Sequence, residues 1–170
     1  LEELAYMNDD GTLYLLLEDT VYAIDVNMGK MDVAYKDLNS SNCTASGDGI
    51  FVMCDGGDEN AGERLKIVDL NSGKERTIEG GDWRIVPLGY AGKDLIYTQM
   101  LTEDSSGVIR TPISEVHIMD ENYNEVKTYQ KSGDYVMRLT ISDGNISMKL
   151  AKAVKNGNVW CTGKNLFQET

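Results

Sequence analysis

Side chains suited to catalysis are scarce in this 170-residue sequence. No serine, cysteine or carboxylate motif surrounds its single histidine, His117, to form a nucleophile–histidine arrangement. The cysteines, Cys43, Cys54 and Cys161, include no Cys-x-x-Cys pair of the kind typical of zinc sites, so we expect buried thiols, with one disulfide as the alternative. No glycine-rich nucleotide-binding motif occurs. The sequence therefore predicts no catalytic residue and no cofactor, and it favours a binding role over an enzymatic one.

Two stretches, residues 25–29 and 69–73, read Asp-x-Asn-x-Gly and superficially resemble calcium loops. A calcium loop takes about six or more oxygen ligands, including a late bidentate glutamate that neither stretch has. An aspartate can instead accept hydrogen bonds from backbone amides two residues on, which starts a turn. Gly29 and Gly73 then suit the left-handed corner of a hairpin loop. We predict turns here and no metal site.

Charged side chains collect in two long predicted loops, residues 55–63 and 102–112. The candidate partner-binding residues there are Asp55, Asp58, Glu59, Glu63, Glu103, Asp104 and Arg110. We expect solvated loops, with an acidic patch for a cation or a basic partner as the functional alternative. The carboxylates are too loosely spaced to predict an acid–base pair.

The formal net charge of −12 excludes several classes of partner. Nucleic acids and anionic membrane surfaces are bound by basic surfaces, so neither is expected. No apolar run approaches the roughly 18 residues of a membrane span. The acidity is instead typical of a soluble β-rich protein.

One segment occurs three times. "VYAIDVNMGKM" (21–31), "LKIVDLNSGKE" (65–75) and "VHIMDENYNEV" (116–126) share an aspartate at Asp25, Asp69 and Asp120, so that successive copies lie 44 and 51 residues apart. Both spacings are near the 40–50 residues typical of β-propeller blades. The repeat predicts a series of similar small sheets.

Each copy reads as a strand, a turn and an outer strand. The first and third positions are apolar and predict a buried face, whereas the second position, Tyr22, Lys66 or His117, is expected to face outward. In the third copy Asn124 replaces the turn glycine and is expected in the left-handed conformation. Each copy follows a nearly continuous apolar run (13–18, 49–54 and 94–101), which suits a strand covered on both faces.

These segments assemble into four-stranded antiparallel meanders, with blades at about 1–38, 39–80, 81–132 and 133–170. Pro87 predicts an edge or irregular strand within 82–90. Residues 146–155 have partly helical spacing, but we predict a strand from their place in the fourth unit. The fold class is therefore all-β, with about three complete blades and a partial fourth, either closing into a ring or forming a slice of a larger propeller.

Residues 11–36 resemble a quinoprotein-type (PQQ-like) propeller repeat at Gly11, in the Val21–Asp25 strand and at Gly29-Lys30. Residues 65–75 are similar also to TolB-like and other bacterial propeller repeats. The resemblance implies a bacterial propeller, and no cofactor-binding set carries over residue by residue.

The sequence favours a non-catalytic propeller module for protein or ligand binding or scaffolding, at an extracellular or cell-surface location. One alternative is a carbohydrate-binding or sensor domain attached to an extracellular enzyme, with Trp83 or Trp160 stacking on a sugar, although such residues more often pack between sheets. Another is a partial enzyme domain completed by missing blades. The expected partner is an unknown protein or small ligand, with self-association or a larger parent chain as further options.

Overall fold

The computed structural model of the chain is all-β. It describes residues 5–37, 39–56, 62–101, 115–130, 134–142, 144–156 and 159–169, and every regular element in these ranges is a strand. No helix that could span a membrane occurs in these ranges.

The strands form four antiparallel sheets in which sequential strands are neighbours. The first sheet contains β1 (Ala5–Met7), β2 (Thr12–Leu17), β3 (Thr20–Asp25) and β4 (Lys30–Tyr35). The second contains β5 (Asn39–Ala45), β6 (Ile50–Asp55), β7 (Arg64–Asp69) and β8 (Lys74–Glu79). The third contains β9 (Trp83–Ala91), β10 (Asp94–Leu101), β11 (Glu115–Met119) and β12 (Glu125–Gln130). The fourth contains β13 (Asp134–Ser142), β14 (Asn145–Asn156) and β15 (Val159–Glu169), so the strand prediction for 146–155 is confirmed.

The chain divides into two compact units, Leu1–Gly81 and Asp82–Thr170, each containing two sheets. In the first unit, the first and second sheets pack through a buried core of Leu16, Val21, Phe51, Met53, Val68 and Leu70. In the second unit, the third and fourth sheets pack through Ile96, Val116, Val136 and Leu150. In each pair of sheets we call the face that contributes to this core the inner face, and the opposite face the outer face.

The hairpin turns follow the repeated aspartates. Asp25 Oδ1 accepts hydrogen bonds from the amides of Asn27 and Met28, both at 2.9 Å. The Gly29 amide donates to the Asp25 carbonyl at 2.8 Å. Gly29 has φ 64° and Gly73, in the second turn, has φ 66°. The turn prediction is confirmed at both positions.

The third turn corrects the prediction for Asn124. The left-handed residue is Tyr123, with φ 62°. In the first turn Asp25 pairs with Lys30, whereas in the third the bulged ladder pairs Met119 with Glu125. The third loop is therefore one residue longer, and its left-handed corner is not at the position of the earlier glycines.

Pro87 lies in β9, an edge strand of the third sheet. It pairs with Tyr97 next to a bulge in the β9–β10 ladder. Proline has no backbone N–H to donate, so an edge strand with a bulge accommodates it. The prediction of an edge or irregular strand is confirmed.

Candidate functional site

The predicted acidic loops are only partly described. Asp55 ends β6, and its Oδ2 lies 2.7 Å from Nε of Arg64 at the start of β7, so this carboxylate is engaged in an ion pair within the chain. Glu63 is exposed beside it, and its carbonyl accepts a hydrogen bond from the Gly80 amide at 2.9 Å. The remaining candidates, Asp58, Glu59, Glu103, Asp104 and Arg110, lie outside the described residues. The acidic patch stays a prediction.

Among the side chains that the structure describes, the tryptophans and cysteines do not form a cluster that could bind or react with a ligand. Trp83 is half-buried at the start of β9, and the side chains of Trp160 and Cys161 lie outside that description. Burial raises the pKa of the Cys43 thiol to about 12 and that of the Cys54 thiol to about 11. Thiols with such pKa values are almost fully protonated at neutral pH and are poor nucleophiles.

His117 is buried, which contradicts the expected outward position. Its exposed fraction is 7%. The imidazole stacks on its cross-strand neighbour Tyr97, with ring centroids 4.8 Å apart and planes 10° from parallel. Burial raises the pKa of Tyr97 to about 12. A period-2 pattern assigns a strand residue to one face or the other, but it does not say which faces are covered.

Carboxylates lie at both nitrogens of the His117 ring. Nδ1 is 2.8 Å from Glu125 Oε2 and 3.2 Å from Thr128 Oγ1. Nε2 is 3.3 Å from Glu115 Oε2, an ion-pair distance without hydrogen-bond geometry. Gln130 donates to the other oxygen of Glu115. The hydrogen bond from His117 holds the pKa of Glu125 below its ordinary value. We call these residues, with Tyr97, the histidine cluster.

The histidine cluster is built to hold three strands together. A histidine acting as a general base needs one ring nitrogen within reach of the substrate proton, but here both nitrogens face carboxylates of the same sheet. Tyr97, His117 and Glu125 belong to β10, β11 and β12, so their contacts cross two strand ladders. Among the residues that the structure describes, no three histidine, cysteine or acidic side chains are placed to hold a metal ion.

The outer face of the first sheet is largely apolar. Two rows of cross-strand neighbours run across all four strands: Met7, Leu13, Ile24 and Met31, and then Ala5, Leu15, Tyr22 and Val33. The exposed fraction is 60% for Met31, 49% for Met7 and 45% for Val33. Leu17, on the same face, is 42% exposed. We call this surface the open face.

The open face also corrects a prediction. Continuous apolar character predicted that the second strand of each repeat would be covered on both faces. This is true of β6, where the four residues Phe51–Cys54 are buried, and of β10, where Leu95, Ile96, Tyr97 and Thr98 are buried. In β2 only Leu16 is buried, whereas Leu13 and Leu15 are half-buried. The sequence shows the apolar side chains, but whether something covers them depends on tertiary packing.

The described part of the outer face of the fourth sheet has the opposite chemistry. Three successive cross-strand pairs of β13 and β14 are polar there: Arg138 with Lys149, Thr140 with Ser147, and Ser142 with Asn145. Arg138, Thr140 and Lys149 are exposed. The alternating residues Leu139, Ile141, Ile146 and Met148 pack on the core of the second unit. We call the polar surface the polar face.

Comparison with known proteins gives a likeness of fold. No protein-family model matches the chain, and no curated protein sequence matches it significantly. A solved structure described as "Crystal Structure of Mitotic Checkpoint Complex" contains a chain that matches with a TM-score of 0.50 and 17% identity. The match covers 97% of this chain and 49% of that one, so this chain spans about half the length of the matched chain.

At this identity the likeness shows the fold alone. Together with the four meanders, it establishes the predicted fold class, all-β with β-propeller blades. The resemblance to quinoprotein-type and TolB-like repeats in particular stays a prediction.

Proposed function

We propose that the chain is a non-catalytic β-propeller module that binds a protein partner through the open face. The proposal depends on one observation: two complete cross-strand rows of the first sheet are apolar and partly exposed. Single exposed apolar side chains are common on soluble proteins, whereas the largest continuous apolar patch of a protein, typically about 300–600 Å², is often functional.

The size of the open face supports the proposal of a protein partner. Three strands of six residues and one of three, spaced about 4.8 Å apart with about 3.3 Å per residue, cover roughly 330 Å² in projection. Burying a large apolar side chain from full exposure is worth about 1.5–3 kcal/mol. Met7, Met31 and Val33 are about half exposed, so covering them would recover part of this energy. A partner that covers the face is therefore favoured by the hydrophobic effect.

The chemistry of the open face favours a protein over other ligands. Its rows offer one side-chain hydrogen-bonding group, the Tyr22 hydroxyl, whereas ligand sites orient small molecules with several placed polar groups. It has no basic side chain for phosphates. The solved structure that matches the fold is of a protein complex, which accords with a propeller serving as a platform for proteins. The protein surface could belong to a second copy, a larger parent chain or another protein.

Site-specific photo-crosslinking tests the proposal. A benzophenone amino acid replaces Val33 in β4 or, as the matched control, Val126 in β12, which is an exposed valine on another outer strand. We expect a discrete protein adduct from position 33, in the cells that produce the protein, and none from position 126. Equal yields at both positions, or no adduct at position 33, would contradict the proposal.

A further inference from the structure

We infer that the partner of the open face is a second copy of this chain, packed face to face about a two-fold axis. The inference rests on the proposed function and names its partner.

The second sheet shows what covers the corresponding face. Tyr22 and Ile24 stand three residues and one residue before the turn aspartate of the first copy, and both lie on the open face. The equivalent residues of the second copy are Lys66 and Val68. Val68 is packed in the core with the first sheet, and the Lys66 ammonium lies 5.1 Å from the centroid of the Tyr35 ring. The same side of the repeat is therefore covered, in the second sheet, by the face of another sheet.

The polar face cannot supply such a sheet. A head-to-tail contact between copies would press Arg138 and Lys149 onto rows containing Leu15, Tyr22 and Ile24. The open-face rows carry no carboxylate to pair with these cations, and burying a charge without a partner is strongly unfavourable.

The other outer faces are already buried. Val52, Leu65 and Ile67 on the second sheet, and Leu95 and Tyr97 on the third, are almost fully inaccessible. Among the described surfaces of this chain, the apolar counterpart for an open face is the open face of another copy.

In a dimer with a two-fold axis, the open face of one copy packs on the open face of the other, so apolar rows contact apolar rows. Sheets that pack face to face lie about 10 Å apart with strands within about 30° of each other, so the two rows of one copy can interdigitate with those of the other. The roughly 330 Å² available on each copy is below the ~800 Å² per partner of a standard interface. We therefore expect a reversible dimer that dissociates in the micromolar range.

Sedimentation velocity of the full chain over a wide concentration range tests the inference. We expect a reversible monomer–dimer equilibrium that weakens at least tenfold in Met31→Glu and in Met7→Lys, which change opposite edges of the open face. Met28→Glu is the matched control, because Met28 is 66% exposed but lies in the β3–β4 turn and not in either row. Circular dichroism of dilute samples establishes that each variant is folded.

The outcomes separate this inference from the proposed function. A wild-type chain that stays monomeric at all concentrations would overturn the inference, while a protein adduct from position 33 in cells would leave the proposed function standing with a different partner. A dimer unaffected by both Met31→Glu and Met7→Lys would place the interface elsewhere and would also overturn the inference. Added salt should strengthen the association, because it screens the repulsion between two chains of net charge −12.

Discussion

The outer faces of the first and fourth sheets both point away from the core of their own unit, yet their chemistry is opposite. The open face has two apolar rows across four strands, whereas the polar face pairs Arg138 with Lys149 and Thr140 with Ser147. A sheet with one face in water reads as a strict alternation of apolar and polar residues, as residues 138–142 do. The first sheet lacks this alternation. Where a sheet with one uncovered face loses this alternation, apolar side chains are left exposed to solvent, as on the open face.

The largest difference in stability is expected between substitutions on the inner and outer faces of the first unit. Phe51→Ala removes a fully buried ring from the core and should lower the free energy of unfolding by about 3–5 kcal/mol. Met31→Ala, on the open face, should change it by no more than about 0.5 kcal/mol. Urea unfolding of dilute protein, followed by fluorescence, measures both. Similar costs for the two variants would mean that Met31 is covered in the isolated chain.

The second largest effect on stability is expected at His117, which is buried although its equivalent in the first sheet, Tyr22, lies on the open face. His117→Ala leaves Glu115, which is nearly buried, without its imidazole, so the free energy of unfolding should fall by about 1–3 kcal/mol. Tyr22→Ala changes the equivalent position on the open face and should cost less. Urea unfolding compares them, and His117→Gln, which keeps a hydrogen-bonding side chain, should recover part of the loss. A His117→Ala variant as stable as the wild type would show that the histidine cluster does not hold the third sheet together.

A smaller effect should follow from making the polar face resemble the open face. Arg138→Leu with Lys149→Met places two apolar side chains in one cross-strand pair, so a new association through the fourth sheet is expected. Arg138→Gln with Lys149→Gln removes the same charges without adding apolar surface and serves as the control. Light scattering should show at least tenfold stronger association for the apolar pair than for the glutamine pair. Equal association of the two variants would mean that charge, and not apolar surface, decides between the faces.

The smallest effect is the response to acid. Hydrogen bonds lower the pKa of Glu125 from 4.5, and those of Asp69 and Asp120 from 3.8. Because the folded state binds these protons more weakly than the unfolded state, each group contributes stability above its ordinary pKa that is lost as the pH falls through the lowered value. Unfolding free energies should therefore decline below about pH 4.5, and Asp120→Asn should flatten part of the decline. The rows of the open face contain no acidic group, so lowering the pH should not dissociate a dimer formed through this face.

The turns and strands could be predicted because their causes are local. Asp25 and Asp69 bind amides two and three residues on, and Gly29 and Gly73 adopt the left-handed conformation that their type favours. The third turn departs from this rule because a bulge lengthens its loop by one residue, and no residue type in the sequence marks that bulge.

The surfaces could not be predicted in the same way, because exposure depends on what packs nearby. His117 follows the same strand pattern as Tyr22, but it is buried and bracketed by Glu115 and Glu125 from its own sheet. The apolar runs of β2 and β6 look alike in sequence, yet only β6 is covered on both faces. In β14 the strand is predicted from its place in the fourth unit, whereas its faces follow from packing: Ile146 and Met148 contact the core and Lys149 is exposed.

Methionine oxidation in dilute protein tests most directly whether the open face is uncovered in the isolated chain. Peroxide oxidises accessible thioethers, and peptide mass spectrometry reports each methionine separately. We predict that Met7 and Met31 are oxidised nearly as fast as Met28 in the β3–β4 turn, while Met53 in the core stays protected until the chain unfolds. Protection of Met31 equal to that of Met53 would show that the first sheet already has a covering neighbour, and it would contradict the account.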